Sequence, residues 1–104
     1  MKLTVKNISF GIDLAKETYE KATITQRDID EIIAKSIIKV EKSGDKTTIV
    51  TVVLSNGFVL VESSSCVDSK NFNMKIGKEI CMKKITDKIW ELEGYKLQSA
   101  KGDE

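Results

Sequence analysis

The spacing of apolar residues changes along the chain and divides it into segments of different predicted structure. Residues 2–10 alternate loosely between apolar and polar positions, which favours a short strand or an arm. Residues 12–22 have a pattern that fits one or two turns of helix. Both segments precede the stronger signals, which begin at Thr25.

The first strong helix signal lies over residues 25–35. Thr25 suits the N-cap position, and Asp28 stands three residues later, as in a capping box. Isoleucines then recur at helical spacing, at positions 29, 32 and 33. We therefore predict a short helix that turns these isoleucines to one side.

After this helix the apolar period becomes that of β-strands. A first strand runs into the turn signal Ser43-Gly44-Asp45, and the β-branched run TTIVTVVL follows it. Asn56-Gly57 then separates that run from the apolar segment FVLVES. An Asn-Gly pair in this position is typical of a hairpin with a two-residue type I′ loop.

The register of this hairpin puts apolar residues on both of its faces. With the Asn-Gly pair as the loop, Leu54 pairs with Val59 and Val53 pairs with Leu60. One face then carries Val50, Val52, Leu54, Val59 and Val61. The opposite face carries Ile49, Val53, Phe58 and Leu60. A surface hairpin of a monomer is normally polar on one side, so the second face needs a cover.

The segment 73–92 predicts the longest helix of the chain. One stripe of apolar side chains recurs at helical spacing: Met74, Cys81, Ile85, Ile89 and Leu92. A second apolar set lies away from that stripe: Ile76, Ile80 and Trp90. We predict that Gly94 ends the helix as a C′ residue with positive φ. Tyr95 and Leu97 would then form a short extended tail, and residues 99–104 would fray.

Together these segments predict a single α+β domain over residues 1–104. In it, an antiparallel sheet built around the Asn-Gly hairpin packs with a short N-terminal helix and a longer C-terminal helix. A chain of 104 residues has little material to cover both apolar faces of the hairpin. We therefore expect self-association into a dimer or a higher oligomer. A lysine at Val53 or Leu60 would disrupt this assembly if that face of the hairpin is the interface.

Composition narrows the possible chemistry. The chain contains no histidine, and its two cysteines, Cys66 and Cys81, are not arranged as CxxC. These absences remove the commonest general base and the usual zinc ligands. Glu62, Glu91 and Glu93 lie on different segments without the spacing of an acid–base pair. We expect no enzymatic activity, no metal and no cofactor.

Charge and hydropathy restrict the partners. There are 17 basic and 16 acidic residues, so no overall field attracts the chain to nucleic acid or to an anionic membrane. Arg27 is the only arginine, whereas proteins that bind duplex DNA depend on arginine. No stretch of 18 apolar residues is present, and the N-terminus lacks a signal-peptide pattern. We expect a cytoplasmic protein that binds no membrane, with nucleic acid a disfavoured partner.

Six lysines cluster in the long helix and just before it, and two of them define the candidate site. Lys84 and Lys88 are one helical turn apart and share a face with Gly77, where a missing side chain would let a phosphate approach the backbone. Asn71 and Phe72 lie at the helix start, where free N–H groups favour anions. We expect these five residues to face one ligand site. The alternatives are a solvated lysine face, an asparagine cap and a hydrophobic staple.

The second half of the chain resembles a family of small phage and prophage proteins. The resemblance spans roughly residues 46–97 and follows a pattern of Asn-Gly-Phe, Asn-Phe, Ile-Gly and Lys-Ile-Trp-x-Leu-Glu-Gly-Tyr. The matching residues are Asn56, Gly57, Phe58, Asn71, Phe72, Ile76, Gly77, Lys88, Ile89, Trp90, Leu92, Glu93, Gly94 and Tyr95.

Within such proteins the chain is most similar to the phage anti-Thoeris sponge proteins. That resemblance implies an oligomeric, non-enzymatic protein of the host bacterial cytoplasm. It would sequester the cyclic ADP-ribose isomers made by TIR-domain enzymes and, in some cases, cyclic oligonucleotides. Pockets of this kind stack an aromatic ring on adenine and place cations on phosphates. Two alternatives are a protein–protein inhibitor or adaptor that acts on a host enzyme, and a phage early protein that binds nucleic acid weakly.

Overall fold

The computed structural model describes residues 23–102, which form two helices and one sheet. In chain order the elements are helix α1 (Gln26–Ala34), strands β1 (Ile37–Ser43), β2 (Thr47–Val53) and β3 (Val59–Ser65), a 3-10 turn (Ser69–Asn71) and helix α2 (Met74–Lys101). The predicted α+β class, with an antiparallel sheet, a short helix before it and a long helix after it, is confirmed. The predictions for segments 2–10 and 12–22 lie outside the described residues.

Helix α1 begins with the predicted capping box. The backbone N–H of Asp28 donates to Thr25 Oγ1 at 3.2 Å, and Thr25 N–H donates to Asp28 Oδ2 at 2.9 Å. These two bonds satisfy donors that the first turn of a helix leaves without intrahelical partners. The helix buries Ile29 completely and packs Ile32 and Ile33 against the same core.

The three strands form an antiparallel sheet in the order β1-β2-β3. The predicted hairpin between β2 and β3 is confirmed, but its predicted register is wrong by one residue. Val53 pairs with Val59, and Val52 pairs with Leu60. Since side chains alternate along a strand, the shift moves Leu60 to the core face, where it is 7% exposed. A lysine at Leu60 would therefore disrupt the core, not an interface.

The cause of the shift is a loop of three residues, 55–57, instead of two. Leu54 N–H donates to Phe58 O at 2.8 Å, and Gly57 N–H donates to Leu54 O at 2.8 Å. Gly57 has φ +91°, while no non-glycine residue in the described chain has positive φ. Asn56 instead accepts the Phe58 N–H through its side chain at 2.9 Å. This is a type I turn followed by a left-handed glycine, the usual geometry of three-residue hairpin loops.

The helices cover one face of the sheet only. The buried apolar core consists of Ile29, Val50, Val52, Leu60, Cys81, Ile85 and Ile89. The opposite face, which we call the outer face, carries the side chains that alternate with the core residues. Its apolar members are Ile37, Ile49, Val53, Val59 and Val61. Ile37, Val59 and Val61 are 70%, 49% and 55% exposed. Both faces of the hairpin are thus apolar, as predicted, although the observed register changes which residues lie on each face.

Helix α2 is longer than the sequence predicts. It continues through Gly94 to Lys101, so the predicted stop at Gly94 and the extended tail are wrong. Fraying from residue 99 stays a prediction. A glycine inside a helix costs only about 1 kcal/mol relative to alanine, and good helix formers stand on both sides of this one. The residue that ends the helix is Gly102, with φ +84°.

The predicted apolar stripe of α2 is confirmed at its centre. Cys81, Ile85 and Ile89 are buried against β2 and β3. Ile76 and Ile80 lie on a separate, exposed flank, whereas Trp90, which the sequence assigned to that flank, packs partly buried against the core. The charged side chains around α2 leave it too polar for a bilayer, and none of the described helices meets the requirements of a membrane span.

Candidate functional site

The N-terminal turns of α2 and the neighbouring ends of β2 and β3 enclose a small groove, which we call the α2 groove. Its volume is about 100 Å³. The polar lining comes mainly from the sheet and from the turn that leads into α2: Lys46, Thr48, Ser64, Ser65, Asn71 and Asn73. The apolar lining comes from Phe72, Ile76, Gly77 and Ile80, with Cys66 at the strand end. Hydroxyls, amides and one ammonium group therefore converge beside the positive end of a 28-residue helix.

Asn73 is the N-cap of α2. Its Oδ1 accepts from Lys75 N–H at 3.0 Å and from Ile76 N–H at 3.1 Å. The next amide, Gly77 N–H, donates to Asn73 O at 3.0 Å. The cap thus consumes most of the donors of the first turn. A ligand in the α2 groove would meet the field of the helix more than free backbone N–H groups.

Gly77 allows α2 to lie directly on β2. A Cβ atom at position 77 would lie 2.7 Å from Thr48 Cβ and still closer to Thr48 Oγ1. The space that the sequence predicts beside Gly77 is therefore occupied by Thr48, and no phosphate can reach the helix backbone there. Gly77 is a packing residue at the floor of the groove, and its lack of a side chain serves the contact between helix and sheet.

Thr48 is the chemically unusual residue of this region. It is 1% exposed, and its Oγ1 has no hydrogen-bond partner among the described residues. An unsatisfied buried hydroxyl costs about 1–3 kcal/mol, and native proteins usually avoid it. The neighbours of Thr48 across the sheet are Lys42 on β1 and Ser64 on β3. The row therefore offers a cation and two hydroxyls on the core face of the sheet.

Two lysines bring positive charge to the groove region. Lys42 Nζ lies 4.7 Å from the centre of the Phe72 ring, a cation–π contact that fixes both side chains. Lys46 Nζ donates to Val67 O at 3.3 Å, a neutral acceptor, and it forms no ion pair with a carboxylate of residues 23–102.

The structure divides the five predicted site residues into two groups. Asn71, Phe72 and Gly77 line the α2 groove. Lys84 and Lys88 instead lie along β3 outside the groove lining. Lys84 Nζ donates to Ser63 O at 2.9 Å, and Lys88 Nζ pairs with a carboxylate oxygen of Glu62 at 3.3 Å. The two lysines share a helix face, as their spacing predicted, but that face contacts the sheet.

Sequence reasoning missed Thr48, Lys46 and Lys42. All three lie in or beside β-strands whose pattern indicates burial and nothing more. One available signal was the turn after Ser43, which aligns Lys42 with Thr48 when its loop is residues 44–46. A threonine at the start of an apolar strand face was the second signal. Neither signal indicates a site unless α2 is known to cross the row formed by Lys42, Thr48 and Ser64.

A larger concavity, of about 260 Å³, lies between α1, α2 and the β2–β3 loop. Its polar lining is mainly carboxylate, from Asp28, Glu31 and Glu93, with Lys35 as its one basic residue. These carboxylates would repel a phosphate. No group of three or more His, Cys, Asp or Glu residues in the described part of the chain is placed to hold a metal ion.

Both cysteines are free thiols. Cys66 is half-buried and donates through Sγ to Asp68 O at 3.2 Å. Cys81 is fully buried on the side of α2 that faces the sheet, and burial raises the pKa of its thiol. Nearby Lys84 lowers that pKa and Glu62 raises it, each less than burial does. Cys81 is thus a core residue, whereas Cys66 lies partly exposed at the end of the sheet.

The sequence of the described residues matches one family of phage proteins. The model of the Phage protein (N4 Gp49/phage Sf6 gene 66) family matches residues 24–101, which include every helix and strand described above. The chain belongs to this family, and the predicted membership of a small phage protein family is confirmed. No curated protein and no solved structure matches the chain.

Proposed function

We propose that this phage protein is a non-enzymatic sponge that binds a cyclic nucleotide immune signal of the cyclic ADP-ribose class and holds it chemically unchanged. Two observations support the proposal. The sequence resembles anti-Thoeris sponge proteins, and the α2 groove has the chemistry that a phosphate needs. The resemblance supports the class of ligand, and the chemistry of the groove supports this position for it on the chain.

The observation that carries the proposal is the Thr48 hydroxyl. It is buried and lacks a partner among the described residues, at the floor of a groove that also contains Lys46 and Ser65. In the unbound protein this hydroxyl faces Gly77. Turned toward the groove, it would donate to a phosphoryl oxygen and no longer be unsatisfied. The nearby ammonium group would form a charge-assisted bond with the same phosphate.

The dimensions of the groove restrict how the ligand binds. A water molecule has a share of about 30 Å³ in the liquid, so a groove of about 100 Å³ holds one phosphate group but not a whole nucleotide. The base and the sugars would lie over the rim, which presents Phe72 and the exposed side chains of Ile76 and Ile80. An aromatic ring and two isoleucines are suitable for the apolar faces of a base.

The test is release of an intact ligand. The purified full chain is incubated with a mixture of cyclic ADP-ribose isomers and cyclic oligonucleotides, washed, denatured by heat, and the supernatant is analysed by mass spectrometry. We expect an unmodified cyclic nucleotide to be recovered. Recovery of nothing, or of a linear product that increases with protein concentration, would contradict the proposed function.

Matched variants locate the site. Thr48→Val keeps the side-chain shape but removes the hydroxyl, and we expect it to weaken binding about tenfold or more. Thr51→Val makes the same change on the outer face of the same strand and should bind like the wild type. The double variant Lys84→Ala/Lys88→Ala should also bind like the wild type. If it loses binding while Thr48→Val does not, the phosphate lies at those two lysines.

A further inference from the structure

The exposed edge of the sheet at β1 has the properties of an interface between two copies of the chain. Six of the seven β1 residues are exposed, and only Val40 is half-buried. Among the described residues, β1 pairs with β2 on one side and with nothing on the other. Every second N–H and C=O of β1 therefore points away from the sheet and can pair with another strand.

We propose that β1 pairs with β1 of a second copy in antiparallel orientation, which joins the two sheets into one of six strands. A two-fold axis perpendicular to the sheet keeps each side chain on its own face. Such an axis lies between two directly opposed residues, which are the same residue in the two copies. The axis at Val40 pairs all seven residues. Val40 then faces its own copy, and Lys39 faces Glu41 of the second copy on both sides of the axis.

The charges select this register over its neighbours. An axis at Lys39 or at Glu41 would place two like charges directly opposite each other and would shorten the pairing. Opposite charges in directly paired positions stabilise a sheet, and like charges destabilise it. Within one chain, Lys39 Nζ and Glu41 Oε1 are 3.9 Å apart and well exposed, so both are available to a partner. Charged residues on an edge strand often prevent pairing. Here the order of the two charges puts Lys39 opposite Glu41 when the strand pairs with its own copy.

The other free edge is unsuitable for the same arrangement. The full-length antiparallel pairing of β3 with its own copy would centre on Glu62 and oppose two carboxylates. Glu62 is also held by Lys88 at 3.3 Å. Pairing of β1 with β3 of the next copy would be a head-to-tail contact, which gives a ring or an open fibre instead of a two-fold dimer. The β1 edge is thus the one that closes as a dimer.

The test is the oligomeric state of the full chain, measured by sedimentation velocity and light scattering over about 1–100 µM, the range of weak to moderate association. We expect a dimer. Lys39→Glu and Glu41→Lys should each raise the dimer dissociation constant about tenfold or more, because each places like charges opposite each other at two symmetry-related positions. The double variant Lys39→Glu/Glu41→Lys should restore it to near the wild-type value. Circular dichroism and thermal melting check that each variant is folded.

Val53→Lys is the control for the other apolar surface. Val53 lies on the outer face of the central strand, away from the β1 edge, so the variant should remain dimeric. A monomeric wild type, failure of the charge exchange to restore association, or dissociation by Val53→Lys would each overturn the proposal. The last result would assign the interface to the outer face. None of these measurements depends on a cyclic nucleotide, so they stand or fall separately from the proposed function.

Discussion

At the scale of single residues, the contact between Gly77 and Thr48 determines how closely α2 approaches the sheet. The glycine lets the helix backbone lie against a threonine side chain, and the threonine loses access to water as a result. One contact therefore explains both the packing of the helix and the unpartnered hydroxyl to which the proposed ligand binds. Such sites, where a local rule is broken, are where function is often found.

This contact predicts a large stability difference between two glycines of the same helix. Gly77→Ala forces a methyl group into Thr48, and overpacking of this kind costs about 1–3 kcal/mol. Gly94→Ala introduces the same methyl group with nothing within 4 Å and should stabilise the helix by about 0.5–1 kcal/mol. Urea denaturation of both variants measures the free energies of unfolding. Equal effects at the two positions would show that Gly77 is not a packing residue.

At the scale of elements, the start of α2 is defined by one side chain. Asn73 accepts two backbone hydrogen bonds there, whereas Asn71 belongs to the 3-10 turn and accepts none of the capping bonds. The sequence left open which asparagine caps the helix. The structure assigns the cap to Asn73 and leaves Asn71 at the groove.

The two asparagines therefore respond differently to truncation. Asn73→Ala should lower the free energy of unfolding by about 1 kcal/mol, since it removes the N-cap of the longest helix. Asn71→Ala should change it by less than about 0.5 kcal/mol. Thermal or urea denaturation measures both variants. A larger loss of stability for Asn71→Ala than for Asn73→Ala would show that Asn73 is not the N-cap.

At the scale of the whole molecule, two helices pack on one face of the sheet, and the core between helices and sheet contains the buried thiol of Cys81. Burial raises the pKa of Cys81 above its ordinary value of 9.0. The folded state thus holds the thiol proton more tightly than the unfolded state. That contribution to stability is complete below the unfolded-state pKa and is lost as the pH rises through the folded-state pKa.

We therefore expect the free energy of unfolding to fall as the pH rises above about 9. Cys81→Ala should be less stable at neutral pH, because it leaves a small cavity, but should show a shallower decline above about pH 9. Ile85→Val provides the control: it also leaves a small cavity in the core but removes no titratable group, and it should keep the wild-type slope. Urea denaturation across this pH range measures all three proteins. Parallel slopes for the wild type and Cys81→Ala would contradict the assignment to Cys81.

Local sequence signals identified most of the elements of the described chain. The Thr25 capping box, the β-branched run of β2, the Asn-Gly hairpin and the apolar stripe of α2 all depend on neighbours close in sequence. Their physical causes act within one turn or one strand pair. The same reasoning failed at Gly94, because a modest glycine penalty is outweighed by the helix formers on both sides.

The tertiary structure alone decided the site. The hairpin register shifted by one residue because the loop took a three-residue form, which moved Leu60 into the core. The distance between α2 and β2 depends on a contact between residues 29 positions apart, Gly77 and Thr48. The same docking turned Lys84 and Lys88 toward β3. By itself, the sequence determined the class of fold, the order of the elements and the apolar nature of both sheet faces. The neighbours of each polar side chain depended on how the elements pack, because long-range contacts have no local period from which they can be read.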